Sequence, residues 1–188
     1  MTLNNIFNYI IDKIKSTDLL IDPYEHIWIE NILTDDHYSQ LRDDFESKEY
    51  TQEDDDHSLS ASVGWNEFSD FCKSSELYTA IQQKLTATRL HSDVDKFVVN
   101  YLKDLPEHHI GLHSDAKGKE TLQWHIYCPD IDYDKWGTIF CLNKDRLGKK
   151  EFPLKRNAFL AYGKNPGKDL HYTEPGDRIR KSLLVRYR

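Results

Sequence analysis

Apolar residues recur at helical spacing in the first half of the chain and at alternate positions in the second. Ile6, Phe7, Ile10, Ile11 and Ile14 are separated by Asn8, Asp12 and Lys13, which predicts an amphipathic helix with one buried stripe. His26 to Leu33 reads as a short strand leading into Thr34-Asp35-Asp36, a sequence suited to capping a helix. Tyr38, Leu41 and Phe45 follow at helical spacing, so the helix is expected to run to about Phe45. From Glu49 to Ser62 the chain is acidic and polar, with Asp54-Asp55-Asp56 inside it and no apolar period, and reads as a solvated loop. A second supporting helix is predicted over about Ser75 to Leu85, where Leu77, Tyr78, Ile81 and Leu85 share a face.

Beyond Asp95 the period changes. Phe97 to Leu102, Thr121 to Tyr127, Thr138 to Leu142, Asn157 to Tyr162 and Lys181 to Tyr187 are short β-rich runs separated by Gly, Pro and charged turns. Strands at such spacing predict an antiparallel sandwich or barrel with the earlier helices packed outside it.

Composition narrows the class. A chain of 188 residues, 38% hydrophobic and 12% aromatic, fits one domain with a true core. A formal net charge of -7 argues against broad binding to a phosphate backbone, with Arg178, Arg180, Lys181, Arg186 and Arg188 forming a local exception. Cys72, Cys128 and Cys141 are widely spaced and form no CxxC, so buried or free thiols in a reducing compartment are expected rather than a disulfide framework or a zinc knuckle. The polar interruptions of the first helix exclude a signal peptide or a membrane span there, and a cytoplasmic location is the expectation.

Candidate chemistry lies in the last third. In a strand, residues two apart project to one face, so His113 and Asp115 can present an imidazole and a carboxylate together while Ser114 faces away. Two His and one carboxylate leave coordination positions open, the arrangement of non-haem Fe(II) oxygenases. His171 is the only His after His125 and is the natural third ligand. A zinc site using His109 and His113 at helical spacing is disfavoured by Pro106 and Gly111, and no HExxH is present.

Arg180 carries a planar, permanently charged guanidinium suited to gripping a carboxylate with two bonds, and Ser182 shares its strand face. The pair suits the distal carboxylate of 2-oxoglutarate, although a solvated basic strand would read the same way. Gln123, His125 and Tyr127 alternate with Leu122, Trp124 and Ile126, which implies one polar and one apolar face and leaves open whether the polar face lines a pocket or meets solvent.

On these residues the chain resembles the Fe(II)/2-oxoglutarate-dependent dioxygenase superfamily, in particular its compact prolyl-hydroxylase-like branch. The resemblance runs through VVNYLKDLPEHHIGLHSD, WGTIFCLN, FPLKRNAFLAY and HYTEPGDRIRKSLLVRY, and more weakly through IWIENILTDDHYSQL. It implies a mainly β fold with flanking helices, a double-stranded β-helix of the jelly-roll, cupin-like kind. Residues 1–94 would be mostly helical support and 95–188 the β-helix core of a single domain. It also implies Fe(II) held by His113, Asp115 and His171, with 2-oxoglutarate held by Arg180 and assisted by Ser182. Tyr101 stands where relatives often place a Tyr that touches the co-substrate, and Tyr127 and His125 become candidate co-substrate or substrate contacts if their polar face lines the barrel. The chain departs from the family in having one glycine in Trp136-Gly137-Thr138-Ile139 and a His-rich loop before His113.

The implied activity is hydroxylation of a protein side chain, an amino acid or another small molecule, with release of succinate and carbon dioxide. Retention of Asp115 favours hydroxylation over halogenation. The partner is then a small-molecule or peptide substrate, with no membrane. Two other classes compete: a non-catalytic jelly-roll module that binds an acidic ligand or a sugar, and a zinc-dependent cupin-like enzyme.

Overall fold

A computed structural model of the chain describes residues 3–52, 58–85, 97–114, 122–163 and 170–187. The first helix, α1 (Leu3–Ser16), buries Ile6, Ile10 and Ile14, the stripe its spacing predicts. A short strand, β1 (His26–Ile29), leads to α2 (Asp35–Glu46), which buries Leu41 and Phe45 and carries Asp35 and Asp36 in its first turn, where acids complement the helix dipole. Thr34 occupies the cap position but its hydroxyl pairs with the His37 ring at 2.6 Å instead of capping the backbone. Next come β2 (Thr51–Gln52), β3 (Ser58–Ser62), α3 (Asn66–Cys72) and α4 (Ser75–Lys84), the last capped by Ser74, whose hydroxyl accepts from the Leu77 amide.

Seven further strands follow among the described residues: β4 (Phe97–Asp104), β5 (Leu122–Tyr127), β6 (Tyr133–Phe140), β7 (Lys150–Leu154), β8 (Ala158–Gly163) and β9 (His171–Tyr172) precede the closing β10 (Arg180–Tyr187). One sheet has seven strands in the order β1-β8-β5-β10-β4-β3-β2, and a smaller one has three in the order β7-β6-β9. Every pairing is antiparallel.

Strand alternation divides the large sheet into two faces. Tyr101, Trp124, Ile126, Phe159, Ala161, Leu183, Val185 and Tyr187 turn to one side and share a core with α1 to α4. Tyr127, Ala158, Leu160 and Tyr162 turn to the other and pack against Phe140, Phe152 and Leu154 of the small sheet. The layers are therefore helices, large sheet, small sheet, and the gap between the sheets is where a site can form.

The expected mainly β, double-stranded β-helix of the jelly-roll, cupin-like kind is corrected by this topology. The architecture is mixed α/β with two antiparallel sheets, and among the described residues neither sheet curls into a closed barrel. The physical reason is twofold. The large sheet recruits β1, β2 and β3 from the first half of the chain, leaving β1 and β2 as open edges, and β9 is only two residues long. The expected loop from Glu49 to Ser62 is likewise revised: Asp54-Asp55-Asp56 lies outside the described residues, but Ser58 and Ala61 are buried on β3, which pairs along β4.

Candidate functional site

β10 supplies one wall. Arg180, Ser182, Leu184 and Arg186 alternate with the helix-facing Leu183, Val185 and Tyr187, so the basic cluster of the sequence is split between two faces. Lys181, on the helix side, is buried and bonded at 2.8 Å to both Glu46 and Asp130. Arg180 and Arg186 instead line a cavity of about 50 Å³ between the sheets. β5 and β8 contribute Gln123, His125 and Tyr162 to its lining, and Thr138 of β6 and His171 of β9 face them from the small sheet.

His113 lies just outside the small sheet but extends it. Its amide donates to the His171 carbonyl at 3.1 Å and the His171 amide donates back at 3.0 Å, an antiparallel bridge that sets the two residues opposite one another. Their rings stand 4.2 Å apart between centroids, at 56°. The Nδ1 of His113 is 2.8 Å from the Gly111 carbonyl oxygen. A carbonyl can only accept, so Nδ1 carries a proton. His171 is buried and wedged edge-on against Tyr162, with ring centroids 5.1 Å apart. Asp115, the expected carboxylate, lies outside the described residues. Among the described residues no group of three or more His, Cys, Asp or Glu side chains is arranged to hold a metal. The two imidazoles stand side by side on the cavity wall.

Arg180 is fixed by an acid that the sequence reading did not single out. Its Nε donates to Asp104 Oδ2 at 2.7 Å, and Nη2 reaches the same oxygen. Ser58 donates to the other carboxylate oxygen at 3.0 Å, and His108 Nε2 lies 3.7 Å from it. Burial works against the Arg180 charge, and the attraction of Asp104 outweighs it, so the pKa of the guanidinium is raised. Nη1 is buried and has no hydrogen-bond partner. One edge of the guanidinium is thus clamped and the other is unpaired. The expected strand stopped at Leu102; extended by two residues, parity puts Asp104 on the Leu102 face, but its pairing with Arg180 has no local signal.

Tyr127 and Ser182 are cross-strand neighbours on the cavity side. The Tyr127 hydroxyl pairs with Thr138 Oγ1 at 2.8 Å, and its pKa is raised, with burial as the largest cause. Ser182 is buried on the Arg180 face but does not line the cavity. Tyr101 goes elsewhere: it sits on the opposite face of β4, donates to Asp44 at 2.7 Å and packs against Phe45 at 4.9 Å, so the structure does not bring it to the cavity. Thr138, Thr173, Gln123, Tyr162, Tyr172 and Arg186 complete the polar lining beyond the residues expected.

The single glycine noted in β6 has a steric role. Trp136 adopts a φ of 68°, the pairing with β7 shifts there, and a Cβ on Gly137 would sit 2.3 Å from the Phe152 carbonyl oxygen. This close approach places Thr138 beneath Tyr127. The thiols carry no chemistry of this kind: Cys72, Cys128 and Cys141 are free and buried, and burial pushes the Cys128 thiol up to about 12.

Neither a protein-family model nor a curated protein sequence matches the chain. Solved structures do. A Pseudomonas putida prolyl-4-hydroxylase aligns at 13% identity with a TM-score of 0.63, covering 97% of this chain and 98% of that one. A Trichoplax adhaerens prolyl hydroxylase, in complex with a hypoxia inducible factor oxygen degradation domain peptide fragment, aligns at 10% identity with a TM-score of 0.65, covering 97% and 89%. HygX from Streptomyces hygroscopicus, with nickel, 2-oxoglutarate and hygromycin B bound, aligns at 10% identity with a TM-score of 0.61, covering 100% and 87%. Among the described residues no helix is long and apolar enough to cross a membrane. The likeness extends over nearly the whole chain in each case, and this protein has the fold of the prolyl-hydroxylase-like Fe(II)/2-oxoglutarate oxygenases.

Proposed function

We propose that this protein is an Fe(II)- and 2-oxoglutarate-dependent dioxygenase that hydroxylates an amino acid, a protein side chain or another small molecule. The observation that carries the reading is one cavity lined by the paired His113 and His171 rings and by Arg180, whose buried Nη1 has no partner. An unpaired, desolvated cationic donor is costly unless a ligand completes it, and a carboxylate does so best.

In this reading His113, His171 and Asp115 hold the iron, and the His113 tautomer set by the Gly111 carbonyl offers Nε2 as ligand. Bound iron supplies oxidation of a substrate C–H bond by dioxygen, coupled to conversion of 2-oxoglutarate to succinate and carbon dioxide. The chain supplies placement. Arg180 grips the far carboxylate of 2-oxoglutarate with its free edge while Asp104 holds the guanidinium plane from the other side. Leu102, Ile110 and Leu184 line the same cavity and limit water there, which strengthens each charged contact. Tyr127 and Thr138 are bonded to each other and fix the cavity wall nearest Ser182.

Anaerobic titration of the purified chain with Fe(II) and 2-oxoglutarate tests this. The expected result is a visible charge-transfer band that is lost in His171→Ala and Asp115→Ala, with at least tenfold weaker 2-oxoglutarate binding in Arg180→Lys. Lysine keeps the charge opposite Asp104 but lacks the planar fork. Folded wild-type protein that binds 2-oxoglutarate neither alone nor with Fe(II) would overturn the reading.

A further inference from the structure

Arg180 and Arg186 occupy the same face of β10, six residues apart, which separates their Cα atoms by about 20 Å. Both line the inter-sheet cavity, together with His113 and His171. A dicarboxylate held by Arg180 leaves the second arginine to be explained. Its Nε is buried and without a hydrogen-bond partner. Directly opposite Arg186 on β5 is Gln123, and opposite Gln123 on β8 is Tyr162. The Gln123 side-chain amide donates to the Tyr162 hydroxyl, which holds the amide in place and leaves Oε1 buried and unpartnered. Neighbouring positions across a sheet bring Cβ atoms within about 5 Å, so one cationic donor and one neutral acceptor lie side by side without partners.

From this pairing we infer that Arg186 and Gln123 form the recognition subsite for the oxidised substrate, and that this substrate is a small acid bearing a hydrogen-bond donor on its α-carbon, a free L-amino acid in the first instance. The inference rests on the oxygenase reading above. A carboxylate satisfies Arg186, and a donor beside it, an ammonium or a hydroxyl, satisfies Gln123 Oε1, where a second acceptor would oppose the first. Gln123 and Tyr162 are both buried, so the subsite is built into the sheet and not assembled from surface side chains. It shares its cavity with the paired His rings, which sets a bound α-amino acid beside the expected metal ligands.

The test is saturation-transfer NMR on the full chain in 2-oxoglutarate, with each of the twenty common L-amino acids as probe and 2-oxoglutarate binding measured separately on the same preparation. At least one amino acid is expected to bind. Its affinity should fall at least tenfold in Arg186→Met and in Gln123→Leu, and its carboxamide and its deamino analogue should each bind at least tenfold more weakly. 2-Oxoglutarate affinity should stay within twofold in both variants. Arg186→Lys, which keeps the charge, should recover part of the amino-acid affinity and so separates loss of the guanidinium from misfolding. Binding of 2-oxoglutarate without binding of any amino acid overturns the subsite alone, as does an Arg186→Met variant that binds amino acids normally. Weakened 2-oxoglutarate binding in Arg186→Met also overturns it, by assigning that guanidinium to the co-substrate. Absence of 2-oxoglutarate binding in the wild type overturns the oxygenase reading itself.

Discussion

The two faces of the seven-stranded sheet are built from the same strands and solve different problems. On the helix side most polar atoms buried among the apolar core find partners, the Tyr38 hydroxyl being the exception: Tyr101 donates to Asp44, Tyr187 donates to the Cys72 carbonyl at 2.7 Å, and the Trp124 indole donates to Tyr187 at 3.3 Å. On the cavity side Arg180 Nη1, Arg186 Nε and Gln123 Oε1 are buried without partners. A face selected only for stability removes such orphans, since each costs about 1–3 kcal/mol. Their concentration on the cavity face is the observation on which the proposed ligand site rests.

The sharpest way to break this contrast is to remove mass from the closed face. Trp124 is among the largest fully buried side chains and packs on Phe159 at 5.4 Å between centroids. Trp124→Ala is expected to cost about 4 kcal/mol of unfolding free energy in urea titration, because the cavity it leaves adds to the lost transfer energy. A loss below about 1 kcal/mol would show that the helix-facing core is not the main source of stability.

The inter-sheet layer contributes a pH-dependent component through His26. Its ring meets Phe140 and Phe152 edge-on at 5.4 and 5.1 Å, and burial lowers its pKa from 6.5 to about 4 despite a hydrogen bond to the Tyr24 carbonyl. Above pH 6.5 neither the folded nor the unfolded chain holds the extra proton. Between pH 6.5 and about 4 the unfolded chain takes it up and the folded one does not, so stability declines as acid is added. The full loss is about 3 kcal/mol at the acid end of that window. His26→Leu is expected to flatten the pH dependence of the thermal midpoint across that window, and an unchanged slope would show that His26 is protonated in the folded state.

A smaller effect separates structure from function at Tyr101, which the sequence resemblance connects with the co-substrate. Asp44 accepts not only from Tyr101 but from the Gly64 and Trp65 amides at 2.8 and 3.0 Å, and Lys48 lies 2.8 Å from its other oxygen. Tyr101→Phe is expected to cost about 1 kcal/mol in denaturant titration, the net value of one hydrogen bond, and to leave 2-oxoglutarate affinity unchanged. A tenfold loss of that affinity would place the phenol in the co-substrate's path.

How far the sequence foretold this arrangement depends on the range of the forces involved. Strong local periods were legible: the Ile6, Ile10, Ile14 stripe, the Leu41 and Phe45 pair and the alternation along β10 all define the faces they suggest. Parity on β10 correctly put Arg180 and Ser182 on one side, and parity on β5 put Gln123, His125 and Tyr127 on a cavity-facing side that the sequence left undecided. Parity cannot say which sheet face meets which layer, and Tyr101 went to the helix side for that reason. Short or interrupted elements were not legible. The seven residues of α3 give too few turns for a period, β7 contains Pro153, and β9 has two residues. The closed barrel expected from resemblance gave way because recruitment of β1 to β3 is a long-range pairing, with no signature in their own composition. The partnership of Asp104 with Arg180, 76 positions apart, is of the same kind.

The smallest expected effect bears most directly on the contrast between the faces. In Gln123→Leu the side chain loses one hydrogen bond to Tyr162 but also the desolvation cost of an amide oxygen that the folded chain leaves unpaired. These terms are each about 1 kcal/mol and opposite in sign, so unfolding free energy should change by less than about 0.5 kcal/mol. A loss above about 1 kcal/mol would mean that the Gln123 amide is already satisfied by the fold, and the cavity face would then be a second structural core, with no vacancy shaped for a ligand.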